Sequence, residues 1–352
     1  MTQSVTKKEA CAYFAAPENK KFQLLCHASP DADTVCSALA LCLALDRMGK
    51  QVSVLFPEVL PSRLLSLPGV LETATRFSVF PGSPFSPDPK SNALPDAAKN
   101  AAVVSIDVAD LSLLGAFAEY FRGKVDLMID HHIKRAPFGK QYLIEPHAAA
   151  AAEIVFSLIR GLSGYGAKLD ATIASLLYAG ISSDTGSFRY SNTTKKTLFA
   201  AAHLYDHGID TALIAERLHS EKPRSQVIAE TKIGADMRFF GGGRIALVYA
   251  DTSTLQTLGA SEEDVSDIVS LPRQIEGVKI AVSVKEKPSE GATAAALRRY
   301  KISLRTSADV SAQKIAAIFG GGGHVRAAGC TIFAKNTEAA IEKIASACEQ
   351  FL

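Results

Sequence analysis

No Cys-x-x-Cys pair occurs among the 352 residues. The six cysteines are scattered as Cys11, Cys26, Cys36, Cys42, Cys330 and Cys348, mostly inside apolar strand or helix patterns. That placement predicts buried free thiols rather than metal ligands. Charge of one sign is lacking too: 38 basic against 36 acidic side chains leave a net +2. A near-neutral chain has no global basic surface of the kind that grips long nucleic acid, so an anionic ligand must be held by a local cluster. No apolar run approaches the ~20 residues of a membrane span. The stretch Met1–Lys21 has no apolar core of signal-peptide type. Together these absences predict a soluble, cytoplasmic protein in a reducing compartment, with no membrane partner and no hold on long duplexes. No internal repeat is visible.

What is present is apolar bulk, 47% of residues, in a chain long enough for two domains. Phe22–Cys26 reads as a strand, Thr34–Met48 as a helix ended by Gly49, and Gln51–Phe56 as a second strand. Five prolines in Pro81–Pro95 mark a surface loop. Ala101–Ile106 and Val125–Ile129 are further strands. Helices are predicted over Ala148–Gly161, Ala171–Ile181, Thr194–His207 and Ile209–Ser220. Arg224–Arg238 reads as a linking helix at a domain boundary, and Phe239–Gly243 as a turn into the strand Ile245–Ala250. Strands at Val278–Lys285, Tyr300–Thr306 and Gly329–Ala334 and helices at Val310–Phe319 and Glu338–Phe351 complete the pattern.

Acids and imidazoles gather where the apolar runs stop. Asp130, His131 and His132 follow one strand; His27, Asp31 and Asp33 follow another; Asp107 follows a third, and Asp184 ends a helix. In an open parallel sheet the ligand crevice lies outside the carboxyl ends of the strands. Taken singly, each aspartate is an ordinary cap or turn former. Together they carry a solvation cost that divalent cations would offset. Carboxylate and imidazole without thiolate suit Mn²⁺, Mg²⁺ or Fe²⁺ better than a structural zinc site. So many candidate ligands suggest two metals, the arrangement used for phosphate-ester hydrolysis.

These stretches carry a resemblance. His27-Ala-Ser-Pro-Asp31-Ala-Asp33, Asp107-Val-Ala-Asp110, Asp130-His131-His132 and Ser183-Asp184-Thr-Gly-Ser-Phe188 are similar to the four ordered motifs of the DHH phosphoesterase superfamily. The run Gly320–Gly323 with His324, followed by Ala327-Ala328-Gly329, resembles the signature of its DHH-associated C-terminal domain. The order and spacing resemble the NrnA-like oligoribonuclease/pAp phosphatase branch. The resemblance implies an α/β fold. Its N-terminal domain (1–222) would have a mainly parallel sheet with helices on both faces. A linker helix (223–240) and a smaller C-terminal α/β domain (241–352) with a mixed sheet would follow.

It also implies two divalent ions, Mn²⁺ first, with Mg²⁺, Fe²⁺ or Co²⁺ as alternatives. His27 and Asp31 would ligate one ion, Asp33, His131 and Asp184 the other, and Asp107 both. His132 would sit by the substrate phosphate, and Asp130 would orient an imidazole. In the second domain Arg305 would contact phosphate. Gly321, Gly322 and Gly323 would offer backbone N–H groups as an anion nest, with His324 as a further donor. The implied activity is hydrolysis of very short oligoribonucleotides to mononucleotides (3′–5′ oligoribonuclease) and of 3′-phosphoadenosine 5′-phosphate to AMP (bisphosphate nucleotidase). A phosphodiesterase for a cyclic or linear dinucleotide is the alternative. Partners would be short RNAs or small nucleotides, and a homodimer is left open.

Overall fold

The computed structural model describes residues 2–79, 100–132, 136–287 and 297–352. The predicted Pro81–Pro95 loop lies outside them. The chain divides into two units, residues 1–221 and 222–352.

The first unit opens with strand β1 (Gln3–Ser4) and helix α1 (Lys7–Ala15), neither evident in the sequence. A capping box between Thr6 and Glu9 starts α1. Then come β2 (Lys21–Leu25), α2 (Ala32–Arg47), β3 (Gln51–Leu55), short α3 (Ser62–Leu65), α4 (Val70–Phe77) and β4 (Ser78–Val79). Strand β5 (Ala102–Ile106) leads through a 3₁₀ stretch to α5 (Ala118–Phe121), then to β6 (Leu127–Asp130) and β7 (Gln141–Ile144). The unit closes with α6 (Ala151–Gly161), α7 (Ala171–Asp184), α8 (Lys195–Tyr205) and α9 (Thr211–Ala215). The single helix expected over Ile209–Ser220 is α9 followed by a π-turn, Glu216–Ser220.

The strands form one sheet in the order β1-β7-β6-β5-β2-β3-β4, and every pairing is parallel. Successive side chains serve opposite faces: Leu24 and Val104 belong to one core, Leu25 and Val103 to another. Burial on both faces is why these strands read as continuous apolar runs rather than alternating ones. The chain moves from β2 to β3 on one side and returns to β5 on the other. The switch point of the sheet therefore falls between β2 and β5.

The second unit begins with α10 (Arg224–Ala235), the helix expected as a link. It buries Ala229 and Ile233 against Val248, Ala250, Val265 and Ile268, so it is packed into this unit. Strand β8 (Arg238–Phe240) replaces the first part of the expected turn, and Gly241–Gly243 supply the turn itself. Strand β9 (Ile245–Ala250), α11 (Thr252–Leu258), α12 (Ser270–Arg273), β10 (Ile280–Lys287) and β11 (Arg298–Thr306) follow. The last elements are α13 (Ala312–Ala317), β12 (Gly322–Gly323), β13 (Ala327–Ala334) and α14 (Thr337–Glu349). The sheet order is β12-β13-β11-β10-β9-β8; β9 and β10 are parallel and the other pairs antiparallel. The mixed sheet expected for this part is present.

A candidate metal centre at the switch point of the parallel sheet

His27 and Asp31 follow β2, Asp107 follows β5, and Asp130, His131 and His132 end β6. They stand at carboxyl ends of adjacent strands, beside the switch point, where the topology leaves a crevice. Asp33 enters from the first turn of α2 and Asp184 from the last residue of α7.

Three groups of potential ligand atoms result: His27, Asp31 and Asp107; Asp33, His131 and Asp184; and Asp107, His131 and His132. Within each, the atoms lie no more than 4.8 Å apart. His27 Nε2 is 3.9 Å from both Asp31 Oδ2 and Asp107 Oδ2. His131 Nε2 is 3.4 Å from Asp184 Oδ2, 3.5 Å from Asp107 Oδ1 and 3.9 Å from Asp33 Oδ2. Two ligands each about 2.0–2.2 Å from one ion are about 3–4 Å apart when they subtend a right angle or more. The observed spacings fall in that interval. His131 Nε2 and Asp107 Oδ1 are buried and, among the described residues, have no hydrogen-bond partner, a costly state for polar atoms unless another group engages them. The donor set thus fits divalent metal ions.

The electrostatics agree. Burial, then Asp33 and Asp31, holds the carboxyls of Asp107 and Asp184 well above the usual carboxylate range. Burial also raises Asp33, against the pull of His131. For His131 burial acts downward, but Asp33 and Asp184 overcome it and raise the imidazole. Asp184 sits at the C-terminus of α7, where the helix dipole disfavours an anion. A cation relieves each of these strains.

Neighbours orient the ligands. Asp33 is fully buried. It accepts from the N–H groups of Ala151 (2.6 Å) and Ala152 (2.9 Å) and from Ser37 Oγ (3.0 Å). The first turn of α6 has no side-chain cap of its own; the Asp33 carboxylate supplies it. This explains why the helix expected from Ala148 starts at Ala151. A Cβ on Gly180 of α7 would lie 2.9 Å from Asp33 Oδ1, so glycine is required there for the helices to close around the carboxylate. Thr34 Oγ1 donates to Asp107 Oδ2 at 2.5 Å. Ring nitrogen Nδ1 of His131 lies 3.3 Å from the carbonyl of Ala148, and donation there leaves Nε2 as the ligand atom. Asp130 holds the ring of His132, not that of His131: its Oδ1 is 2.8 Å from His132 Nδ1 and also accepts from the backbone N–H groups of His131 and His132. Burial opposes ionisation of Asp130, yet these bonds hold its carboxyl below the ordinary range. Thr34, Ser37 and Gly180 were not singled out by pattern; only the fold shows what they touch. A cavity of about 410 Å³, lined by His27, Ser29, Asp31, Asp107, His132 and Asp184 among others, opens onto the group.

In the second unit, Arg305 and Gly320–Gly323 line one concavity of about 970 Å³; His324 is exposed at the end of the loop. Two of the glycines, Gly321 and Gly323, are needed for close packing. A Cβ on Gly321 would lie 2.3 Å from the carbonyl of Gly329, and one on Gly323 2.6 Å from that of Ala327. The N–H groups of Gly320, Gly321 and His324 donate to Ala317, Ala316 and Ala327. The run of successive free donors expected for an anion nest is therefore interrupted, because the loop folds into a hairpin against β13.

An all-parallel sheet bearing a carboxylate–imidazole centre at its switch point, with a mixed-sheet unit following, defines an α/β protein built to hold divalent metal at that crevice. Residues 21–181 match the DHH family, N-terminal domain, and residues 245–350 match the DHHA1 domain. The chain is 32% identical over 327 residues to the bifunctional oligoribonuclease and PAP phosphatase NrnA of Thermus thermophilus, covering 93% of this chain and 88% of that one. It is 27% identical over 214 residues to the enzyme of the same name from Bacillus subtilis, covering 61% and 64%. An exopolyphosphatase-related protein from Bacteroides fragilis shares the fold, with a TM-score of 0.81 and 22% identity, covering 98% of this chain and 96% of that one. The chain belongs to the DHH family and carries a DHHA1 domain.

Proposed function

We propose that this protein is a two-metal phosphoesterase that hydrolyses very short oligoribonucleotides to mononucleotides and 3′-phosphoadenosine 5′-phosphate to AMP. The observation that carries this is the place of Asp107, which belongs to the group with His27 and Asp31 and whose Oδ1 lies 3.5 Å from Nε2 of His131 in the group with Asp33 and Asp184. His27, Asp31 and Asp107 would hold one ion; Asp33, His131 and Asp184, with Asp107 between the sites, would hold the other. Mn²⁺ is the first choice for this oxygen and nitrogen donor set. Divalent ions held there would supply Lewis-acid chemistry, activation of water at neutral pH and uptake of charge on the phosphoryl oxygens.

The chain's own groups do the rest. Thr34 and the N-terminus of α6 hold Asp107 and Asp33 in place, so the ligands are set before substrate arrives. Asp130, hydrogen-bonded to His132 Nδ1, fixes that ring and favours its protonated form, which suits donation to the departing oxygen. Arg305 would bind a substrate phosphate, with the His324 side chain as a further donor. The names of the relatives support the two substrates. A cytoplasmic location belongs to the same reading, supported by six thiols that are all buried and unpaired. Among the described residues no helix is long and apolar enough to cross a membrane.

The test is turnover with Mn²⁺ of pAp, RNAs of two to ten units, a cyclic dinucleotide and a long duplex. Short RNA and pAp should be hydrolysed and the duplex left intact. Asp107→Asn and His131→Ala should each lower kcat/KM by at least about 10³-fold, of the order expected when a group central to the transition state is lost. Full activity in either variant refutes the centre. Preference for the cyclic dinucleotide selects the alternative phosphodiesterase.

A further inference from the structure

Strand β11 lies inside its sheet, between β10 and β13. Tyr300, Ile302 and Leu304 on one of its faces are buried in the core with residues of α13 and α14. The opposite face carries Arg299, Lys301, Ser303 and Arg305, all lining the large concavity. Register places Lys301 directly across from Lys285, and Arg299 directly across from Lys287. Like charges in such positions destabilise a sheet. An interior strand gains nothing from charge as edge protection. Counter-charges are few: Glu262 pairs with Lys287, and Asp267 lies 3.8 Å from Arg305. Among the described residues, Arg299 and Lys301 make no side-chain hydrogen bond or ion pair. On β13, Phe333 stands across from Arg299 and is 54% exposed.

We infer that this open face is a track for a short single strand of RNA, with Arg305, Ser303, Lys301 and Arg299, each two residues from the next, facing the phosphates of successive nucleotides and Phe333 stacking a base. The inference rests on the oligoribonuclease reading and extends it to how the enzyme senses substrate length. Two-residue steps along a strand are about 6.6 Å, comparable to the step between phosphates of an extended single strand. Cations that track a backbone beside an aromatic platform are the general solution for single strands. A polyanion cancels the repulsion between the opposed cations, so the free protein stores a cost that binding removes. A lone bisphosphate nucleotide cannot occupy all three cationic positions, whereas a 5′-phosphorylated tetranucleotide, with four phosphates, can.

The experiment compares wild type with Arg299→Ala/Lys301→Ala and with Phe333→Ala, all at exposed positions. Two readouts are taken: kcat/KM for a 5′-phosphorylated tetraribonucleotide and for pAp with Mn²⁺, and binding of the same 5′-phosphorylated tetraribonucleotide, labelled with fluorescein at its 3′ end, to the full chain in EDTA across a salt series. For the double variant the ratio of tetranucleotide to pAp kcat/KM should fall at least tenfold. The slope of log affinity against log salt should shrink by about 1.4, the value for two lost phosphate contacts on a single strand. Phe333→Ala should weaken binding about tenfold with no change of slope. If wild type hydrolyses both substrates but ratio and slope are unchanged in the double variant, the track is wrong and the enzyme assignment stands. If wild type hydrolyses neither, the assignment fails and the track with it.

Discussion

Asp107 answers two demands with one side chain. Its backbone adopts φ +58°, a left-handed conformation that costs a residue with a Cβ, and its carboxylate is crowded by other buried acids. Asparagine tolerates that backbone, so Asp107→Asn should melt above Asp107→Ala by about 1 kcal/mol in the absence of metal. Both variants should lose metal-dependent hydrolysis; thermal unfolding in EDTA beside a turnover assay checks the pair. Lys285 makes a second prediction. Burial, then Lys301 and Lys287, lowers its ammonium to about 8 against the pull of Glu262 and Asp267. It donates to the carbonyls of Val265 and Ser266. Between pH 8 and 10.5 the native side chain has released its proton while the unfolded chain still binds one. Stability from this group therefore rises with pH across that window. Denaturant melts of wild type and Lys285→Met over pH 7–11 should show the stability of wild type climbing relative to the variant.

At the level of elements, α6 and β11 show sequence and fold in conflict, for opposite reasons. The alanine run before α6 has high helix propensity, but its first turn waits for Asp33 of α2 to satisfy its N–H groups. Gly180→Ala should therefore injure the metal centre without replacing a ligand, since the new Cβ would meet Ala152 Cβ at 2.8 Å and Asp33 Oδ1 at 2.9 Å. Mn²⁺ affinity measured by calorimetry should drop by at least tenfold. Strand β11 carries like charge opposite like charge, a local rule broken where function is expected. Lys301→Glu should raise the stability of the free protein by about 0.2–1 kcal/mol while weakening RNA binding, a trade read from one melt and one titration.

For the whole molecule, the division into two units means that metal acts on one of them. Ions held by the candidate ligands at the carboxyl ends of the parallel strands would bind only the folded first unit. At a hundredfold excess over Kd they should stabilise it by about 2.7 kcal/mol, a rise of about 5–10 °C for a domain of this size. Scanning calorimetry with and without Mn²⁺ should show the transition of the first unit moving and that of the second staying. Chelator should restore the lower midpoint, and no shift in either transition would contradict a metal-binding first unit.

Much of this was legible in the chain itself. Apolar runs that end in His27, Asp107 and Asp130-His131-His132 mark strand ends and their chemistry together, because burial on both faces forces continuous apolarity and only the carboxyl ends are open to polar groups. The glycine run announced a tight loop. What no linear pattern could supply were contacts between residues far apart in the chain. Asp33 capping α6, Thr34 holding Asp107, Asp130 choosing His132, and the opposition of Lys301 to Lys285 depend on strand order and register. The N-terminal strand carries no linear signal because β1 is two residues long and owes its place to pairing with β7. Local composition determined which segments could be strands and which residues could carry charge at their ends. The tertiary structure alone decided which of those charges face each other, because distance between side chains is set by packing rather than by separation along the chain.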